Sequence, residues 1–308
     1  MILTICPNPS IDCTIELNIL NVGKLNRVEN KVETYSGKGM NVAIGVSRLG
    51  EESCVTGFMF ENHRRMFEHN LDNEGVKHKF VVSNGNARTN YKIIDKKSML
   101  TEINDRGEMV SVDKQKQLIE LIKELSPKAE IVSISGSLPG GVESSFYKEL
   151  VQAVPQNIRV IVDAEKENML NAISGRQIFM AKPNLKELEN FSDVIIHDKK
   201  DIVKASLKYI EKGVEYVLVS MGASGAVLTN GSESYYCKSA NVAVNSTVGA
   251  GDSMVAATCV GLCKQKDNKE LIRMAVAAGT AAITTSGTNL FYKDKYQEIY
   301  SRLKVEKF

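Results

Sequence analysis

Several protein classes are excluded by what this 308-residue sequence lacks. No apolar run reaches the ~18 residues that a membrane-spanning helix requires, so we expect no membrane partner. The formal net charge of only +2 excludes the strongly basic surface of a nucleic-acid-binding protein. The amino terminus has neither the basic segment nor the long apolar segment of a secretory signal, which predicts a cytoplasmic location.

Cysteine motifs and the familiar nucleotide-binding motifs are also missing. The six cysteines are scattered without a C-x-x-C pair, and no histidine or second pair accompanies Cys259 and Cys263 to complete a zinc set. Buried free thiols are the expected state. Neither G-x-x-x-x-G-K-[ST] nor G-x-G-x-x-G occurs, so a phosphate site in this chain must be built from other residues.

From residue 131 onward the sequence alternates short apolar runs with amphipathic stretches. This alternation predicts a mostly parallel sheet with helices on both faces, and ligands at the turns that follow the strands. The predicted strands are Ile131–Ser135, Arg159–Asp163, Ile178–Ala181 and Val217–Ser220, and the helices are Ser144–Ala153, Leu185–Phe191 and Asp198–Lys212. With no repeat and no interdomain linker, residues 1–308 are expected to form a single domain.

The first hundred residues have a different pattern. A first short strand is expected from residue 2, and Lys38–Leu49 is amphipathic and predicts a helix of the main body. Four further strands lack long helices between them: Cys13–Leu17, Arg27–Thr34, Asn90–Ile94 and Met99–Ile103. We interpret them as a small antiparallel β lid formed by two insertions, approximately residues 12–35 and 87–104.

A glycine turn before a helix is the most informative stretch. Gly249, Ala250 and Gly251 precede Asp252, and the apolar segment Ser253–Cys263 predicts a buried helix. Backbone N–H groups and the helix dipole would then point at one anion-binding spot. Asp252 at that spot is either a general base for a hydroxyl that attacks a phosphate or an ordinary helix N-cap.

Other polar segments admit a functional and a structural interpretation. Arg88, Asn90 and Lys92 share one face of a strand, which either binds an anionic ligand or is a solvated face. Asn184 and Glu187 are three apart at a helix start, where they hold water ligands of Mg²⁺ or form a capping box.

The order of these motifs resembles the PfkB/ribokinase superfamily of carbohydrate kinases, and within it the branch of 1-phosphofructokinase and tagatose-6-phosphate kinase. The resemblance runs nearly end to end. It rests on Asn8-Pro9-Ser10-Ile11-Asp12, Gly37-Lys38-Gly39-Met40-Asn41, Arg88-Thr89-Asn90-Tyr91-Lys92, Thr101-Glu102-Ile103-Asn104, Gly136-Ser137-Leu138-Pro139, Lys182-Pro183-Asn184-Leu185-Lys186-Glu187-Leu188 and Thr247-Val248-Gly249-Ala250-Gly251-Asp252-Ser253.

The resemblance implies a three-layer α/β/α core with a β lid, ATP and Mg²⁺ as cofactors, and a homodimer through the lid. It implies Asp252 as the base, with an anion hole formed by Gly249, Ala250 and Gly251. The ATP side would be lined by Lys182, Asn184, Ser220, Gly222, Gly225, Thr247, Val248, Gly249 and Gly251, and Mg²⁺ held through water by Asn184 and Glu187. The sugar would be bound by Asp12, Gly37, Lys38, Gly39, Asn41, Asn90, Asn104 and Ser137, its phosphate by Arg88 with Lys92, and Arg27 would reach the partner's site.

Details of the motifs look more like 1-phosphofructokinase, which implies fructose 1-phosphate as the substrate and fructose 1,6-bisphosphate as the product. Tagatose 6-phosphate and fructose 6-phosphate are the alternative substrates, and a regulator that binds sugar phosphate without catalysis is an alternative of another class. The sequence departs from the family pattern at Ser36, where many relatives have a glycine and a small serine is expected to be tolerated. It also departs at Phe60-Glu61-Asn62-His63, which replace a glycine pair in a loop that lies near the sugar in relatives, so this second departure bears on the choice of substrate.

Overall fold

A computed structural model describes residues 1–97, 99–285 and 290–308 of the chain. Its strands are β1 Ile2–Cys6, β2 Ser10–Leu17, β3 Asn30–Ser36, β4 Ser53–Phe60, β5 Lys77–Ser83, β6 Arg88–Asp95, β7 Leu100–Asn104, β8 Ile131–Ser135, β9 Arg159–Asp163, β10 Ile178–Ala181, β11 Val214–Ser220, β12 Ala226–Thr229, β13 Ser234–Cys237 and β14 Val305–Lys307. Its α-helices are α1 Lys38–Arg48, α2 Arg64–Asn73, α3 Val112–Leu125, α4 Phe146–Gln152, α5 Lys166–Gly175, α6 Leu185–Ser192, α7 Lys199–Ile210, α8 Ala250–Cys263, α9 Asn268–Ala282 and α10 Lys293–Arg302.

Ten strands form the central sheet in the order β14-β13-β12-β11-β10-β9-β8-β1-β4-β5. The pairs from β5 to β11 are parallel, and β12, β13 and β14 extend one edge in antiparallel pairing. Every residue of β1, β4 and β8 is buried, as expected for parallel strands that are covered on both faces. Helices α1, α8, α9 and α10 pack together in one layer, and α3 to α7 pack in sequence in another. The three-layer α/β/α prediction is confirmed.

A second sheet, which we call the lid, has the order β3-β2-β6-β7. The expected antiparallel hairpins are present as β2–β3 and β6–β7, whereas the central pair of β2 with β6 is parallel. The third strand begins later than predicted, at Asn30, so Arg27 lies in an exposed loop and not on a lid strand. The side chain of Asn26 binds the backbone of Asn21 and Lys24, which folds this segment into a local turn and delays the strand.

The remaining differences from the sequence prediction concern the ends of elements. Strands β8, β9 and β10 have the predicted bounds, but β11 begins three residues early, at Val214. Helix α8 begins at Ala250 and not at Ser253, because Gly249, in a left-handed conformation (φ 78°) that glycine adopts readily, is its N-cap. All six cysteines are free thiols, as expected. No helix in the described part of the chain has the length and apolar character needed to cross a bilayer.

Candidate active site

A cleft of about 740 Å³ lies between the lid and the carboxyl ends of the core strands, where ligands bind in open parallel sheets. It brings together residues that are far apart in the sequence. The predicted site residues on its wall are Asp12, Gly37, Lys38, Asn41, Arg88, Asn90, Lys92, Asn104, Ser137, Lys182, Asn184, Glu187, Ser220, Gly222, Gly225, Thr247, Val248, Gly249, Ala250, Gly251 and Asp252.

Two predicted residues do not line the cleft. Gly39 packs α1 against β1, because a Cβ there would lie 2.6 Å from the carbonyl oxygen of Ile5 and 2.8 Å from the Cα of Cys6. Position 39 therefore requires a glycine so that α1 can pack closely against β1. Arg27 is exposed in the loop before β3 and does not line the cleft of its own chain.

The amino terminus of α8 forms one wall of the cleft. Gly249 is its N-cap, and a Cβ on that residue would lie 2.8 Å from Cδ2 of Leu290. A Cβ on Gly251 would lie 3.1 Å from Nζ of Lys182, so the absence of side chains lets an ammonium group approach the first turn. The open N–H groups, the dipole of a 14-residue helix and this ammonium group together favour an anion.

Asp252 is the third residue of α8, and its side chain is not the N-cap. The residue is 7% exposed, and its Oδ2 accepts a 2.8 Å hydrogen bond from Nδ2 of Asn41 on α1. Burial raises the pKa of this carboxyl to about 6; the charge of Asp163 acts in the same direction, while Lys38, Lys182 and the Asn41 amide oppose it. Such a carboxylate is suited to accept a proton near neutral pH.

Asp163, the last residue of β9, lies between two lysines on the cleft wall. Nζ of Lys38 is 3.4 Å from both of its carboxylate oxygens, and Nζ of Lys182, just after β10, is 3.6 Å from Oδ2. Burial alone would raise the pKa of Asp163, but the two ammonium groups outweigh it and the net shift is downward. Sequence reasoning assigned no role to Asp163. Its position at the carboxyl end of a buried strand was the available signal.

Asp12 organises the lid side of the cleft. Its carboxylate accepts hydrogen bonds from Oγ of Ser36 (2.9 Å) and from Nδ2 of Asn90 (3.1 Å). Nζ of Lys92 lies 3.6 Å from Oδ2 of Asp12, and both residues are buried. Lys92 was expected to accompany Arg88 at a phosphate, but here its charge is matched by Asp12.

Arg88 has weaker partners. Its Nη atoms donate long, 3.5 Å hydrogen bonds to the carbonyl oxygens of Asp105 and Asn8, and its Nε has no partner among the described residues. Burial lowers the pKa of this guanidinium group. A half-buried cation with an unsatisfied donor beside a cleft fits an anionic ligand. Ser137 and Asn104 lie beside it: Oγ of Ser137 accepts a 3.3 Å bond from Asn8, and Asn104 pairs with Asn90 across β6 and β7.

Asn184 and Glu187 form the capping box of α6. Oδ1 of Asn184 accepts from the backbone N–H of Glu187 at 2.9 Å, and Oε2 of Glu187 accepts from that of Asn184 at 2.8 Å. The structural interpretation of this motif is therefore correct. Both residues also line the cleft, so their side-chain oxygen atoms would be the ones to hold a hydrated Mg²⁺ there. The oxygen donor chemistry fits that ion.

An apolar part of the cleft was missed by sequence reasoning. Val244, Val276 and Ile283 line it, with the hydroxyl groups of Ser239 and Thr280 nearby. These residues come from α9 and from the segment before α8, and nothing in the local pattern of a buried helix distinguishes a side chain that faces a ligand. The loop after β11, with Gly222 and Gly225, lies on the same wall.

Comparison with known proteins identifies the family of the chain. The model of the family described as pfkB family carbohydrate kinase matches residues 8–295. A tagatose-6-phosphate kinase of Staphylococcus epidermidis is 29% identical over 308 residues, covering 99% of each chain. A 1-phosphofructokinase of Escherichia coli is 28% identical, covering 100% of this chain and 98% of the relative. The crystal structure of phosphofructokinase-2 from Escherichia coli with substrates and products superposes with a TM-score of 0.91 at 30% identity, covering 97% and 98% of the two chains.

The chain belongs to the pfkB family of carbohydrate kinases. The kinase class implies ATP as the phosphate donor, and relatives along the full length of the chain are sugar-phosphate kinases.

Proposed function

We propose that the protein transfers the terminal phosphoryl group of ATP to fructose 1-phosphate and forms fructose 1,6-bisphosphate. The observation that carries the proposal is the pairing of two features in one cleft. A buried carboxylate at the start of α8, Asp252, suits a hydroxyl group that becomes phosphorylated. A half-buried guanidinium group with an unsatisfied donor, Arg88, suits a phosphate that the sugar already carries.

In this proposal each residue has a distinct task. Asp252 accepts the proton of the attacking hydroxyl, and Asn41 fixes the orientation of its carboxylate. The N–H groups at the start of α8 and the ammonium group of Lys182 stabilise the charge on the transferred group. Asp12, with its polar neighbours, binds sugar hydroxyl groups. Asn184 and Glu187 would hold the water shell of Mg²⁺, which would supply neutralisation of the phosphate charge.

The nucleotide occupies the side of the cleft away from the lid. The apolar surface of Val244, Val276 and Ile283 suits a flat purine ring, and the hydroxyl groups of Ser239 and Thr280 suit its polar edge. We assign the ribose and phosphates to further predicted residues that line the same cleft, namely Ser220, Gly222, Gly225, Thr247 and Val248.

The test is ADP release with a panel of acceptors: fructose 1-phosphate, tagatose 6-phosphate, fructose 6-phosphate, fructose and ribose. We expect fructose 1-phosphate to give the highest kcat/KM, and Arg88→Ala to lower it by about 100-fold or more, since a charge-assisted contact is lost. Arg64→Ala is the matched control, because Arg64 pairs with Glu68 on the surface of α2. Turnover of an unphosphorylated sugar that is insensitive to Arg88→Ala would refute the substrate assignment.

Tagatose 6-phosphate is the second candidate substrate. The observation in its favour is the full-length similarity to a kinase of that name. Both sugars carry a phosphate at one end of a ketohexose, so the panel separates them directly. Absence of ADP release with every acceptor, in a chain that still binds sugar phosphate, would favour the non-catalytic regulator.

We also propose that two lids pair to form a homodimer. The lid and the segments that join its strands carry nine of the eighteen exposed large hydrophobic residues in the described part of the chain: Ile19, Val22, Leu25, Val28, Val32, Tyr91, Met99, Leu100 and Ile103. A concentration of apolar surface of this kind is typical of an interaction site. Arg27 lies in the loop at this surface, outside its own cleft, where it is free to reach the cleft of a partner.

A further inference from the structure

Asp163 is an acid on the wall of the cleft, in contact with two lysines that favour anions. Asp163 is 2% exposed and belongs to the rigid central sheet, where Ser135 of β8 is its register partner. Its carboxylate is shared by Lys38, from the first turn of α1, and by Lys182, which follows the neighbouring strand β10. The three charged groups come from three different elements of the core, so the arrangement depends on the tertiary fold.

The two lysines differ in their freedom to move. The Lys182 side chain is 6% exposed, and its ammonium group lies against Gly251 in the first turn of α8. The Lys38 side chain is 44% exposed and faces the open cleft. Asp163 cannot follow a ligand because it is held in a buried strand, whereas the long lysine side chains can rotate away from it.

A buried ammonium group needs a counter-charge when no ligand is present. Asp163 meets this need for Lys38 and Lys182, but the same carboxylate repels any phosphate that approaches the lysines. At an effective dielectric constant of about 20, a repulsion across ~5 Å is large enough to change anion affinity by an order of magnitude or more. The carboxylate thus weakens the binding of the anion that the rest of the cleft attracts.

We propose that Asp163 is a resident counter-anion, a positioning residue that holds Lys38 and Lys182 in place and competes with phosphate groups for them. The proposal rests on the proposed function only in requiring that the cleft takes phosphate groups. Competition of this kind limits how tightly phosphate-bearing ground states bind. Binding energy from the lysines is then available chiefly when charge develops on the transferred group.

The test measures binding without turnover. Inorganic pyrophosphate is titrated into the full chain by calorimetry in the presence of EDTA, so that no divalent cation contributes. We expect Asp163→Asn to lower the Kd by about tenfold, because both lysines become available to the anion. A residue with a merely structural role would weaken binding when replaced, so the direction of the change is diagnostic.

Glu165→Gln is the matched control. Glu165 lies on the same cleft wall two residues away, and it is exposed and has no contact with either lysine among those the structure gives. Because its charge is screened by solvent, removing it should change the Kd by less than about twofold. Equal effects of the two variants would mean that general cleft charge, and not the shared contact, governs the affinity.

Two further outcomes would overturn the proposal. If Asp163 served a metal ion, Asp163→Asn would leave the EDTA titration unchanged and weaken binding only when Mg²⁺ is added. The single variant leaves two lysines without a counter-charge, which could prevent folding. In that case the test uses Asp163→Asn in a Lys38→Met background, which removes one negative and one positive charge together. That double variant must bind pyrophosphate more tightly than Lys38→Met alone, and equal or weaker binding refutes the competition.

These outcomes are distinguishable from failure of the proposed function. The acceptor panel depends on catalysis and on Arg88, whereas the pyrophosphate titration depends only on the shared carboxylate. A protein that phosphorylates another sugar would still show the tightened Kd.

Discussion

At the scale of single residues, the proposed chemistry depends on Asp252. Removing its charge should lower kcat by about 10²–10⁴-fold, the usual contribution of a positioned general base. The nearly isosteric Asp252→Asn keeps a partner for the Asn41 amide, so ATP affinity should be retained. Steady-state kinetics together with equilibrium binding of ATP tests this. An Asp252→Asn enzyme with full activity would remove Asp252 from the mechanism.

The same residue should make the protein less stable at high pH. Folding raises the pKa of Asp252 from an ordinary 3.8 to about 6, mainly through burial. A carboxyl with a raised pKa stabilises the fold fully below about pH 4, and this contribution is lost as the pH rises through 6. The whole span is worth up to about 3 kcal/mol, at ~1.4 kcal/mol for each pKa unit.

Asp252→Asn, which cannot ionise, should therefore be more stable than the wild type at about pH 8 and nearly equal to it at about pH 4. Urea unfolding of both proteins at the two pH values measures the difference. A variant that is less stable at high pH would show that the ionised carboxylate is favourably solvated in the cleft.

At the scale of elements, the contact between α1 and α8 holds Asp252, the proposed base, next to the amide of Asn41. Alanine inside a helix is ordinarily ~1 kcal/mol more favourable than glycine. At position 45, however, a Cβ would lie 2.7 Å from the Cβ of Ala256 on α8. Overpacking of this kind costs about 1–3 kcal/mol, so the contact should outweigh the propensity and Gly45→Ala should lower both Tm and kcat.

The double variant Gly45→Ala/Ala256→Gly is the matched control for this contact. It leaves the number of methyl groups between α1 and α8 unchanged and removes the clash, so most of the lost kcat should return. If Gly45→Ala raises Tm with unchanged kcat, the two helices have room to separate without disturbing Asn41 and Asp252.

The bounds of a helix or strand could be predicted from the sequence where a single local pattern determines them. Strands β8, β9 and β10 are apolar runs with turn residues after them, so their bounds follow directly. The start of α8 does not, since it depends on the left-handed conformation of Gly249. Lys92 shows what the sequence could not predict about the site. The sequence places Lys92 on the polar face of a strand, but its pairing with Asp12 depends on β2 and β6 being neighbours in the lid, which no local pattern indicates.

At the scale of the whole molecule, the proposed lid dimer would make assembly and substrate binding interdependent. Its inner face carries Asp12, Asn90 and Lys92 toward the cleft, while Tyr91 and Ile103, paired across β6 and β7, are 39% and 55% exposed. Adjacent apolar residues on a thin sheet are costly to leave in water, which favours a second lid against them. We expect a dimer in sedimentation experiments.

Charge placed in this apolar pair tests the arrangement. Tyr91→Glu/Ile103→Glu should produce monomers and raise KM for the sugar phosphate more than KM for ATP, because in the proposed function the lid residues on the cleft wall bind the sugar phosphate. Ile195→Glu is the matched control, since Ile195 is 73% exposed and belongs neither to the lid nor to the central sheet. Monomers with an unchanged KM would show that each lid holds its shape alone. A variant that stays dimeric would place the interface elsewhere. In that case Arg27 would not reach the partner's cleft, and Arg27→Ala should leave sugar-phosphate binding unchanged.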